Sequence, residues 1–170
     1  MTTPEQRPSK RRTQGRSRSA SRLAVVQALY QMELSGQDCE TALREFIAHR
    51  LGQEIEGDQY PEADEKYFAD IVRGVVARQD EIDRALAGYL VKEWPFDRID
   101  PTMRAIMRAA AYEMVALPGV PARVVVHEYM NVTLAFFENG EETAFLGGVL
   151  NRMARELRPA EPSPAPTPEQ

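Results

Sequence analysis

Arg7, Lys10, Arg11, Arg12, Arg16, Arg18 and Arg22 crowd the start of the chain, with no acid between the first and the last of them. Their chemistry is that of polyanion binding. A guanidinium offers a fixed fork of donors to phosphate and stacks on an exposed base. The whole chain has a net charge of −5, so removing these seven cations leaves about −12 on the remainder. An acidic body with a cationic leader favours contact with RNA through one localised surface. Ser and Gly between the arginines predict an arm that stays mobile until RNA orders it. The same composition occurs in organelle transit peptides and in lipid-attracted segments, although this leader has no apolar face to insert.

Catalysis finds little support. His49, His127 and the single Cys39 supply no CxxC pair, and His127-Glu128 lacks a second histidine at metal-binding spacing. No metal site and no cofactor are expected. Gly147-Gly148 sits in a helical pattern and reads as room for a close helix crossing rather than a phosphate cradle. Glu54, Glu56, Asp58, Glu62, Asp64 and Glu65 read as a solvated acidic face that repels RNA from that side. No apolar stretch is long enough to span a bilayer and no apolar signal core opens the chain, so a cytoplasmic protein without membrane contact is expected.

The elements that must position the arginines are helical. Leu23, Val26, Tyr30 and Leu34 share a stripe that Gly36 should end. Asp38 can cap a helix through Leu43, Phe46, Ile47 and Leu51. A long pattern from Tyr67 to Leu90 carries a kink or break at Asp80-Glu81. Asp100-Pro101 is a strong helix start, and Met103, Ile106, Met107, Ala110 and Met114 mark a central buried helix. Pro121 opens the next helix despite the β-branched Val124-Val125-Val126, and Glu141 to Leu157 forms the last. The fold class is all-α, with about seven helices. The expected organisation is a flexible basic arm over 1–19, a helical domain over 20–158, and a disordered Pro-rich tail over 159–170.

The run from Arg22 through Gln27-Ala28-Leu29-Tyr30 to Leu34 resembles the first helix of the NusB family of transcription antitermination factors. Further likeness comes from Tyr67-Phe68, Gly74-Val75, Ile82-Asp83, Trp94, Met107 to Met114, Val120-Pro121, His127-Glu128 and Phe145 to Asn151, in order over about 18–158. The resemblance implies two small packed helical bundles and no catalysis. It also implies binding of the boxA element of ribosomal RNA leaders together with ribosomal protein S10 (NusE). That complex joins the RNA polymerase elongation complex with other Nus factors and suppresses Rho-dependent termination. Some members of the family form homodimers that hide the RNA surface.

By the same resemblance, Arg18 and Arg22 fall on the family's arginine cluster, with Arg11, Arg12 and Arg16 upstream. Arg123 falls on a basic position after the proline, and Phe145 on an aromatic able to stack with a base or to serve the core. Tyr30, Arg104 and Arg108 fall on the S10-facing side, and Met103 stands where many members place an acid that engages S10. Leu134 replaces a characteristic lysine, His127 a common asparagine, and Gly147 the asparagine of an Asn-Gly pair. An alternative reading is a divergent protein-interaction module or homodimer with weak or altered RNA binding.

Overall fold

A computed structural model describes residues 10–51 and 63–162. Seven α-helices are present among them: α1 (Lys10–Ser35), α2 (Cys39–His49), α3 (Glu65–Ala77), α4 (Gln79–Ala87), α5 (Pro101–Ala116), α6 (Ala122–Phe136) and α7 (Gly140–Leu157). A single 3-10 turn, Phe96–Arg98, precedes α5. The described residues contain no strand.

Local chemistry sets most boundaries. Gly36 has φ +70°, a conformation costly for residues with a Cβ, and it stops α1. Asp38 caps α2 by accepting from the Thr41 amide at 3.0 Å, and Asp64 caps α3 through Tyr67 at the same distance. Asp100 accepts from the Thr102 amide at 2.8 Å, with Pro101 at the first helical position of α5. The long pattern after Tyr67 breaks at Arg78, just ahead of Asp80-Glu81, where the α3 and α4 ranges separate.

Helix α5 lies at the centre and packs against α1, α3, α4, α6 and α7, while α1, α2 and α3 pack on one another. Its Ala105, Ala109, Ala110 and Ala111 are almost fully buried, and such small side chains let neighbouring helices come close. The tightest approach is at Gly74. A Cβ there would lie 2.0 Å from the Tyr112 ring, so α3 meets α5 where only glycine fits. Gly148, by contrast, faces open space.

Two expected boundaries move. The basic leader is helical from Lys10, so the flexible arm expected up to residue 19 is corrected to a continuous extension of α1; residues 1–9 lie outside the described part. At the other end, residues 159–162 do not leave the fold as a loose tail. Glu161 accepts from the Ala122 amide at the start of α6 at 2.6 Å and pairs with Arg158 at 2.6 Å. Arg158 in turn donates to the carbonyls of Met114, Leu117 and Val120, closing the carboxyl end of α5. The remainder of the Pro-rich tail, and Glu54, Glu56, Asp58 and Glu62 of the acidic loop, fall outside the described residues.

A buried ion pair ties α1 to the centre. Arg22, 2% exposed, donates through Nε to Glu113 Oε2 at 2.9 Å and through Nη2 to Oε1 at 3.0 Å. Tyr67 of α3 donates to the same carboxylate and accepts from Arg22 at 3.1 Å. Burial by itself would lower the Arg22 pKa, but the hydrogen bonds and charge of Glu113 outweigh it and the pKa rises. The Tyr67 hydroxyl is pushed up by burial first and by Glu113 second.

Two expectations follow. Glu113→Ala leaves a cation buried without its partner and should destabilise the fold by about 3–5 kcal/mol in urea titrations; a change within experimental error would rule out this pair as the anchor. The Ala122 amide and Arg158 hold the Glu161 pKa below its ordinary 4.5. A depressed carboxylate stabilises above its unfolded pKa and loses that contribution as pH falls through the folded one. The thermal midpoint of Glu161→Gln should therefore lie below wild type at neutral pH and converge on it in acid well under pH 4.5.

Candidate nucleic-acid and partner interface

The amino-terminal half of α1 carries a run of exposed cations. Lys10, Arg11, Arg12 and Arg16 are exposed along successive turns. Arg18 is half-buried with its guanidinium 4.8 Å from the centroid of the Tyr67 ring, a cation–π arrangement that fixes its direction. Beneath this end, Ser19 donates to Glu128 of α6 at 2.8 Å, and Arg22 Nη1 lies 3.6 Å from the same carboxylate. Arg123, at the start of α6, is exposed and close enough to Glu161 to help lower its pKa. His127 and Asn131 form an exposed pair at 3.2 Å on α6. An array of guanidinium groups on a helix can follow a phosphate backbone with little reordering.

Arg22 does not belong to this surface. Its side chain is committed to Glu113 and shielded from solvent, so the expectation that it grips RNA is corrected. The sequence held a signal for this. Arg22 shares its helix face with Val25, Val26 and Leu29, all buried, and Glu113 shares one with Ile106 and Ala110 on α5. Opposite charges on two apolar stripes imply a buried pair.

The expected S10-facing residues lie at the other end. Tyr30 is 37% exposed and lines a groove of about 560 Å³ with Leu34, Arg50, Thr102 and Phe136. Met103, which stands where many members place an S10-engaging acid, is 3% exposed; its apolar side chain continues the buried stripe of α5 and lines the floor of a surface groove. Arg104 pairs with Glu33 and donates to the carbonyls of Asp97 and Ile99. Arg108 is held by Asp83 at 2.8 Å and Glu33 at 3.1 Å, over the Phe96 ring. Burial opposes its charge, but these carboxylates outweigh burial and raise its pKa. Both guanidinium groups are paired within the molecule at the edge of the surface.

Phe145, 38% exposed, stands apart from the basic array. It lines an apolar groove with Met103 near the start of α5, whereas Arg18 lines a depression with Ala116 to Val120 beyond its end. At 1.5 Å per residue, the thirteen positions from Met103 to Ala116 span roughly 20 Å. The structure therefore does not unite Phe145 with the arginines. Leu134 is exposed and Gly147 buried. Among the described residues, no cluster of His, Cys, Asp or Glu could hold a metal ion, and no helix is long and apolar enough to cross a membrane.

An all-helical double bundle with a cationic helix end and an apolar opposite end is a binding module assembled around a central helix. A sequence model of the NusB family matches residues 19–155. The transcription antitermination protein NusB of Caulobacter vibrioides is 45% identical over 141 residues, covering 83% of this chain and 94% of that protein. That of Rhodopseudomonas palustris is 50% identical over 141 residues, covering 83% of each. Among solved structures, T. maritima NusB superposes with a TM-score of 0.67 at 26% identity, over 82% of this chain and 91% of that one. A structure described as antitermination factors NusB and NusE in complex with dsRNA shares the fold, with a TM-score of 0.65 at 19% identity over 83% and 98% of the two chains. The chain belongs to the NusB family.

Burial separates the arginines into two kinds, and stability measurements should do the same. Arg12→Ala with Arg16→Ala is expected to leave the unfolding free energy within about 0.5 kcal/mol of wild type, as exposed sites do. Arg22→Ala should lower it sharply. Equal effects of the two changes on thermal unfolding followed by circular dichroism would contradict the division.

Proposed function

We propose that this chain is a non-catalytic, RNA-binding transcription antitermination factor of the NusB type, working in the cytoplasm without a cofactor. It takes single-stranded boxA-type leader RNA along the exposed basic half of α1, through Arg11, Arg12, Arg16 and Arg18, with Arg123 extending the surface. Ribosomal protein S10 (NusE) docks at the Tyr30 groove. The resulting complex joins the RNA polymerase elongation complex with other Nus factors and suppresses Rho-dependent termination.

The observation that carries this reading is the helical, solvent-facing array from Lys10 to Arg16 on a fold of this family. Phosphate contacts supply affinity there without choosing sequence. The Tyr30 groove supports the protein contact because it exposes large apolar side chains at the opposite end of α1.

Anisotropy titration of boxA RNA across a salt series tests the proposal. Each phosphate neutralised on a single strand contributes about −0.7 to the log–log salt slope, so the Arg11→Ala, Arg12→Ala, Arg16→Ala triple variant should flatten it by about 2. Adding S10 should tighten binding by wild type, and Tyr30→Ala should remove that gain. An unchanged slope and affinity in the triple variant would overturn the RNA assignment. S10 binding that RNA does not enhance would instead favour a protein-interaction module.

A further inference from the structure

The depression beyond the carboxyl end of α5 meets the basic array at Arg18 and differs from it in chemistry. Its volume is about 380 Å³, within the range of small-ligand clefts. Arg18 of α1 forms one wall. Helix α3 forms another, with Lys66 and Asp70 one turn apart and Asp64 at its start, and residues 117–120 close the third side. Two cations and two carboxylates around one hollow suit a ligand that carries acceptors and donors together. A bare phosphate would meet the charge of Asp64 and Asp70, and a simple cation that of Arg18 and Lys66.

The side chains have different commitments. Asp64 caps α3 through the Tyr67 amide, whereas Asp70 is exposed and caps nothing. The Arg18 guanidinium lies over the Tyr67 ring, yet its Nε is buried and donates to no acceptor. A buried donor left unmade is costly, and a small turn of the side chain toward a ligand acceptor relieves it. The approach from α1 is open. Arg11 and Gly15 share the Arg18 face of the helix, and a Cβ at Gly15 would meet nothing within 4 Å. A strand held by Arg11 can therefore run close along the helix and reach the depression.

We propose that this depression receives a guanine base of the bound RNA. Arg18 donates to O6 and N7, the Asp70 carboxylate accepts from N1–H and N2–H, and Lys66 pairs with an adjoining phosphate. Guanine alone offers both the acceptor pair that an arginine fork fits and a paired donor edge that a carboxylate fits. Adenine and cytosine present a single amino group to the carboxylate, and uracil a single imino N–H. The proposal rests on the RNA-binding reading above and adds to it the base selection that phosphate contacts do not supply.

Fluorescence anisotropy of the full chain tests it, with a short oligouridine and the same oligomer carrying one central guanosine. The guanosine should tighten binding by about tenfold, the scale of a good bidentate base contact. Inosine, which lacks the N2 amine, and 7-deazaguanosine, which lacks N7, should each lose much of that gain. Asp70→Asn should bring the ratio of the two affinities close to one, with its circular dichroism unchanged. Asp80→Asn, at an exposed acid on α4, should keep the ratio. Arg12→Ala with Arg16→Ala should weaken both oligomers and keep it as well. Equal binding of the two oligomers by wild type, with a salt slope that still depends on the arginines, would overturn this proposal and leave the RNA reading standing. Binding of neither oligomer would overturn both. An equal gain from adenosine would reduce the effect to purine stacking, and loss of the ratio in Asp80→Asn would reduce it to general charge; either result overturns the guanine site.

Discussion

The bidentate contact between Arg22 and Glu113 is the constraint on which the arrangement depends. It joins α1 to α5 at one end of an interface whose other end pairs Glu33 with Arg104 and Arg108, and Tyr67 brings α3 to the same point. Arg22 tolerates burial because the Glu113 carboxylate accepts two of its hydrogen bonds and the Tyr67 hydroxyl a third. Its position also fixes how α1 is rotated. With Arg22, Val25, Val26 and Leu29 turned inward, Arg12 and Arg16 fall off that face, whereas Arg18, one turn before Arg22, shares it and rests on Tyr67. One arginine held inside thus determines which arginines remain available outside.

That rotation changes what the basic segment can do. As a helix from Lys10 it presents Arg12 and Arg16 one turn apart, on a backbone already ordered. A disordered arm would lose backbone freedom at each residue immobilised on binding, about 1–2 kcal/mol apiece. The Tyr67 ring, with Arg18 over one part of it and Arg22 near it at 5.3 Å, adds a rigid base beneath the first turns. Ser19 and Glu128 fasten the same stretch to α6.

Much of the architecture was legible because local chemistry and burial agree. Gly36, Asp38 and Asp100-Pro101 mark boundaries that need no tertiary information, and the α5 stripe through Ile106, Met107 and Ala110 could only be central. The Val124-Val125-Val126 run is helical because Pro121 precedes it and two of its members turn inward. What failed to show was pairing at a distance. Arg22 looked like the last member of a charge run, since composition registers a cation without registering its partner on another helix. Arg104 and Arg108 were obscured in the same way by Glu33 and Asp83. Met103 was placed on the buried face by periodicity, and its 3% exposure agrees. The groove at Trp94 and Phe145 could not be read at all, because four separate segments build it.

The two ends of the molecule are electrostatically independent, and this follows from length alone. Helix α5 is sixteen residues, about 24 Å, and the basic array and the carboxylate-lined groove lie toward its opposite ends. The Debye length at physiological ionic strength is about 8 Å. Charges on the surface at one end are therefore screened from those at the other, and the chain's overall negative charge does not cancel the local attraction of α1 for phosphate. A single positive patch would attract any polyanion wherever the surface permitted. With an apolar, carboxylate-lined groove at the far end, the two ends of α5 carry surfaces of different chemistry. The helix between them is packed on five neighbours and holds that separation fixed.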